Sequence, residues 1–168
     1  MPTRYHIRSC TQDDAPTVAR HRVEMFREMG NVPTDELARE LLDKSTSALA
    51  TALADGTYVG WFAIGDQDKV FAGAGVHIKP QLPRISPDGK RVEVTPVPLV
   101  VNVYTERECR GQGVARSLMR AVMKWAATLG SDRVVLHASD AGRPLYTSLG
   151  FGPTNEMSWF PPKDFDHH

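Results

Sequence analysis

Apolar positions recur along the chain in two alternating rhythms. Between Thr11 and Gly30, Val18, His21, Val23, Met25, Phe26 and Met29 fall at helical spacing behind Thr and Asp capping options, which predicts a helix that stops at Gly30. A second helix is predicted after Pro33, from Thr34 to about Ser47, with Leu37, Leu41 and Leu42 in step. The period then shortens. TYVGWFAIG and KVFAGAGVHIK are β-rich runs joined by Asp66-Gln67-Asp68, which predicts a hairpin.

The next stretch, PQLPRISPDGKRVEVTPVP, carries Pro80, Pro83, Pro87, Pro96 and Pro98 and the turn signal Asp88-Gly89. Proline cannot donate to a ladder, so a long loop is predicted, with room for a small hairpin around the Asp-Gly. VPLVVNVYT follows and is the most strongly β-prone run in the chain, expected to be a central strand. From Gln112 to Leu129 the helical period returns in Val114, Leu118, Ala121, Val122, Trp125 and Leu129, and Gly130 ends it. DRVVLHAS reads as a further buried strand, AGRPLYTSLG as a short helix ending at Gly150, and NEMSWF as a last strand. No internal repeat or linker interrupts the 168 residues, which are expected to form one domain.

Charge sharpens this picture by exclusion. The formal net charge is +0, so the molecule as a whole offers no general attraction to nucleic acid or to an acidic membrane, and any anion must be held locally. No apolar run approaches a membrane span and the N-terminal stretch lacks the apolar core of a secretory signal, so the expected location is cytoplasmic. Cys10 and Cys109 stand far apart without metal spacing and are expected to be reduced thiols; Arg110 beside Cys109 offers a means of lowering a thiol pKa, but no paired histidine is visible. The terminal Asp-His-His is expected to be a frayed tail rather than a metal site.

One stretch places glycines where they oppose local stability. In CRGQGVARSLM, Gly111 and Gly113 stand between the β-prone run and the helix, where unsatisfied backbone N–H groups make a natural phosphate site. A P-loop requires Gly-Lys-Ser/Thr, whereas Gly113 is followed by Val-Ala. A dinucleotide fingerprint requires a third glycine and a ribose-binding acid after the next strand, whereas that strand is followed by His-Ala-Ser-Asp and only one βαβ unit is present.

Two motifs together resemble the Gcn5-related N-acetyltransferases. The family's Arg/Gln-x-x-Gly-x-Gly/Ala stands as Arg110, Gly111, Gln112, Gly113, Val114 and Ala115, and its x-Leu-Tyr-x-x-Leu-Gly-Phe stands as PLYTSLGF, with Tyr146, Leu149, Gly150 and Phe151. The resemblance runs from about Arg4 to Phe160. It implies an α/β (α+β) fold, a central mixed, mostly antiparallel sheet of six to seven strands flanked by about four helices, over residues 1–168.

The resemblance also implies chemistry: transfer of the acetyl group of acetyl-CoA directly to an amine of a small molecule or peptide, without a metal. Residues 110–115 would hold the pyrophosphate, with Arg107 and Arg116 nearby, and the backbone of Asn102, Val103, Tyr104 and Thr105 would bond the pantetheine like an added strand. Tyr146 would protonate the departing thiolate. Many members carry a glutamate base on the central strand, where this chain has Val100, Val101 and Asn102; His137 is the candidate in its place, with Glu106, His77 and Glu93 behind it. Ser139 stands where the family often has a pantetheine-binding asparagine, and Arg143 is a further candidate cofactor contact. A non-catalytic acyl-CoA binding or sensing module is the competing reading, motivated by the missing glutamate. The acceptor pocket would draw on Met25, Phe26, Met29, Met157, Trp159 and Phe160, residues equally suited to a core. A homodimer is compatible with the resemblance, although no residue specifies one.

Overall fold

The computed structural model describes residues 4–162, so the terminal Asp-His-His lies outside the described residues. The chain divides into two compact units at His137/Ala138. In the first, strand β1 (His6–Ser9) precedes helices α1 (Ala15–Glu28) and α2 (Asp35–Asp55); then come β2 (Tyr58–Ile64), β3 (Val70–Lys79), β4 (Arg84–Ile85), β5 (Val92–Glu93), β6 (Val97–Thr105), α3 (Val114–Thr128) and β7 (Val135–Leu136). The second unit contains α4 (Arg143–Ser148).

The central sheet has the order β1-β2-β3-β6-β7, antiparallel except for the final β6–β7 pair. The expected fold class holds with a smaller central sheet of five strands, because β4 and β5 pair with each other as a separate hairpin. The hairpin is moored by Arg84, which donates to both carboxylate oxygens of Asp132 at 2.6 and 3.2 Å and to the Thr95 carbonyl at 3.0 Å. Side chains alternate across the sheet. Tyr58, Phe62 and Ile64 of β2 pack with Val18, Ala19 and Leu49 of α1 and α2, whereas Trp61 meets Trp125 of α3 edge to face at 5.5 Å.

Several sequence expectations are corrected here. The second helix continues to Asp55 because Leu49, Ala50, Ala52 and Leu53 keep packing against the core; Thr46 and Thr51 sit within it by turning their hydroxyls back onto the carbonyls of Leu42 and Ser47. β1, with only Ile7 partly covered, lacks an apolar alternation to announce it. Pro98 lies within β6, at its second residue, before β7 begins to pair on the other side. The predicted buried strand DRVVLHAS shrinks to Val135 and Leu136, half-buried and paired only with Leu99 and Val100. NEMSWF forms no strand, and its Met157 and Phe160 are 94 % and 83 % exposed rather than buried on a sheet. Among the described residues, no helix is long and apolar enough to cross a membrane.

Candidate active site

The site begins with a misfit in the sheet. Gly73 pairs with Tyr104 and Gly75 with Val101, so one residue of β3 faces two of β6, Asn102 and Val103. Such an extra residue is a β-bulge, and Asn102 carries it at φ 57, a left-handed conformation that asparagine tolerates better than most residues. On the opposite side of β6, pairing with β7 ends at Val100/Leu136. From Val101 to Thr105 the strand is therefore laddered on one side only, and backbone hydrogen-bonding capacity is left along the divergence. One of these groups is already engaged: the Thr105 carbonyl accepts from Arg110 Nε at 2.8 Å.

A buried polar network supports the bulge. Asn102 is 5 % exposed; its Oδ1 accepts from Arg22 Nη1 at 2.7 Å, and its Nδ2 donates to Tyr58 Oη at 3.3 Å. Tyr58 reaches this position across Gly75, where a Cβ would fall on the Tyr58 hydroxyl. Burial pushes the Tyr58 hydroxyl well above the ordinary phenol range, despite the opposing Asn102 bond, so it remains protonated. The Arg22 guanidinium lies over the Phe26 ring at 4.8 Å, and burial pulls it below its ordinary value.

Beyond the bulge, β6 leads into the glycine loop. Gly111 and Gly113 adopt φ 75 and 77, and nothing lies within 4 Å of where a Cβ would sit on either. Gly113 is also the N-cap of α3 and has no side chain with which to close the first turn, so the helix start lacks a side-chain cap. Glu28, at the end of α1, accepts from Arg110 Nη2 through both oxygens at 2.8 Å and from Arg107 Nε at 3.0 Å. Two guanidiniums against one carboxylate leave a local excess of one positive charge. The geometry suits an anion with a close backbone approach, and it gives Arg110 a second task, tying the loop to β6 and α1.

Between these features lies a cluster that joins Glu106, a candidate base in the sequence, to Arg20 and His21 of α1. Glu106 accepts from Arg20 Nη1 at 2.7 Å and from the Tyr104 hydroxyl at 3.2 Å. His21, 1 % exposed, packs against the rings of Tyr104 and Phe62, and neither ring nitrogen has a hydrogen-bond partner; its Nε2 is 3.7 Å from Glu106. Burial lowers its pKa to about 4, reinforced by Arg20 and opposed by Glu106, so His21 is neutral near pH 7.

The remaining predicted residues separate by unit. Asn102, Val103, Tyr104, Thr105, Arg110, Gly111, Gln112, Gly113, Val114 and Ala115 lie along one run of chain from β6 through the loop into α3, in the first unit, with Asn102, Tyr104 and Val114 buried. His137 closes that unit; it lies beyond the end of β7 and is exposed, contrary to the expectation of a buried strand position. His77 is exposed on β3, and Glu93 is buried beneath bonds from Arg91 and Thr95. In the second unit, Tyr146 packs edge to face on Phe151 at 6.1 Å, and burial raises its hydroxyl pKa. Its ring crowds Gly142, whose N–H donates to Ser139 Oγ at 3.2 Å, so Ser139 braces the start of α4. Arg143 is exposed on the first turn of α4. Burial raises the Cys10 pKa to about 12 and pushes the buried Cys109 thiol upward; both are free thiols, and the Cys109 environment opposes nucleophile formation.

Comparisons with known proteins bear on this geometry. A GCN5-related N-acetyltransferase from Ralstonia eutropha JMP134 is 31 % identical, with a TM-score of 0.81 over 93 % of this chain and 97 % of its own. A predicted acetyltransferase from Clostridium acetobutylicum, solved with acetyl-CoA, shares the fold at 24 % identity, with a TM-score of 0.80 over 98 % and 100 % of the two chains. The aminoglycoside N(6')-acetyltransferase type 1 of Stenotrophomonas maltophilia is 24 % identical over 160 residues, covering 92 % of this chain and 90 % of that protein. Residues 15–151, which contain the bulge, the glycine loop and Tyr146, match the acetyltransferase (GNAT) family, and the chain belongs to it as an acyltransferase.

Proposed function

We propose that the protein transfers the acetyl group of acetyl-CoA directly to an amine of a small molecule or peptide, and that residues 1–168 act as one acetyltransferase domain. The observation that carries this reading is the bulged, one-sided segment 101–105 running into the left-handed glycines of the loop. Asn102, Val103, Tyr104 and Thr105 offer backbone partners to an extended pantetheine arm, and residues 110–115 offer donors and local positive charge to the pyrophosphate. The solved relative with acetyl-CoA and the aminoglycoside-acetylating relative support the donor and the amine class.

Acetyl-CoA supplies an activated thioester. Tyr146 acts as the acid, its raised pKa keeping a proton on Oη for the departing sulfur. His137 takes the proton released by the amine, directly or through water, from an exposed position that exchanges with solvent. Ser139 and Arg143 contribute to the cofactor site from the start of α4.

The experiment is release of free thiol from acetyl-CoA in the presence of candidate amines. Tyr146→Phe is expected to slow turnover by about 100-fold or more, the usual range for loss of a positioned acid, while leaving acetyl-CoA binding intact. Undiminished turnover of that variant across the pH range would remove Tyr146 from the mechanism. His137→Gln is expected to lose turnover most sharply below neutrality, where an amine most needs a base.

A further inference from the structure

Arg22 is a half-buried cation without an anion among the described residues. Its neighbours each reach a carboxylate: Arg20 holds Glu106, while Arg107 and Arg110 share Glu28. Among the described residues, Arg22 has no carboxylate within ion-pairing reach; its polar partner is the neutral Oδ1 of Asn102, and its face rests on Phe26. Burying a guanidinium without a counter-charge is costly, and one hydrogen bond uses a small part of its five-donor fork. The position is specific as well. Arg22 bonds the bulge residue itself, beside the point where β6 and β7 part.

We propose that Arg22 is a specificity-determining residue and that the acceptor is a small amine bearing its own oxyanion, a carboxylate or a phosphate, which docks on the free edge of this guanidinium. The inference rests on the reading that acetyl transfer takes place at the β6–β7 divergence. An oxyanion held by Arg22 would set its amine near the bulge, and Phe26 would supply an apolar wall for the carbon chain between the two groups. A polycationic acceptor such as an aminoglycoside would meet this charge with repulsion, so the acceptor of this chain differs from that of its Stenotrophomonas relative.

The test pairs amines that differ by one charge: β-alanine against its methyl ester, and phosphoethanolamine against ethanolamine, with kanamycin as the polycation. Wild-type kcat/KM is expected to favour an anionic member by about tenfold or more, the scale of a hydrogen-bonded charge. The two pairs distinguish carboxylate from phosphate. Arg22→Gln should erase the discrimination between the members of each pair, a ratio that a general weakening of the bulge would leave in place; Arg22→Lys should restore part of the preference.

Equal or better use of the ester, ethanolamine or kanamycin overturns the proposal, as does discrimination that survives Arg22→Gln. If nothing in the panel is acetylated, calorimetric titration of both acids into the wild-type protein, with and without coenzyme A, decides it, and absence of binding overturns it. Failure of acetyl-CoA itself to raise the melting temperature would instead strike the underlying reading.

Discussion

His21 shows how an ionisable side chain becomes part of an apolar core. Between Phe62 and Tyr104, with no partner for either ring nitrogen, it must be neutral to remain inside, and burial lowers its pKa from the ordinary 6.5 to about 4. Between those values the unfolded chain binds the proton more readily than the folded one, so stability is fully present above pH 6.5 and falls as the pH drops toward 4. The full effect is about 3 kcal/mol at 1.36 kcal/mol per pH unit. Chemical denaturation between pH 7 and 4 should show this decline, and His21→Phe should flatten it. Gly113 makes the opposite kind of prediction. Glutamate there would strain a left-handed residue by about 1 to 2 kcal/mol but extend into open space, so Gly113→Glu should remain folded while losing its acetyl-CoA thermal shift. A retained shift would remove the loop from the phosphate site.

At the scale of elements, β6 is the decisive piece. Its bulge depends on a chain of accommodations: Gly75 on β3 makes room for Tyr58, Tyr58 bonds Asn102, and Asn102 accepts the left-handed backbone. Gly75→Ala would place a methyl group on the Tyr58 hydroxyl and force the ring aside. The expected cost is about 1 to 3 kcal/mol, as for other overpacked cores, accompanied by lost activity; an unchanged melting temperature would show that the bulge does not need this support. The β4–β5 hairpin depends on a different device. Asp132 lies almost wholly buried beneath the Arg84 fork, whose hydrogen bonds hold its carboxyl below the usual range. Arg84→Ala should lower the melting temperature and hasten proteolytic cleavage between residues 80 and 96.

For the whole molecule, charge neutrality has a functional consequence. With a net charge of zero, attraction for a polyanionic cofactor must come from the local excess around the glycine loop, where Arg107 and Arg110 outnumber Glu28. Binding selective for the folded state stabilises the protein by about 2.7 kcal/mol at 100 times the dissociation constant. A thermal melt with excess acetyl-CoA should therefore rise clearly, and added salt should reduce the rise by screening these exposed arginines. No shift at millimolar acetyl-CoA would leave the loop a turn without a ligand.

Much of this was written locally in the sequence. The strand over 97–105, the helix from Val114, the stops at Gly30, Gly130 and Gly150, and the two motifs that identify the family all depend on neighbours within a few residues: period, caps and left-handed glycines. Even the bulge left a trace, since Asn102 is the sole polar side chain in VPLVVNV. What only the tertiary structure decided were encounters between distant positions. Glu28 captures the loop arginines from 79 and 82 residues away, Arg22 reaches Asn102 across 80, and His21 disappears between two rings. The truncated β7 and the strandless NEMSWF belong to the same class: β-rich residues become a strand only where another strand's backbone is in register to receive them. Local propensity is a property of a few residues, whereas a charge's partner, a proton's affinity and a strand's length depend on what the fold brings alongside.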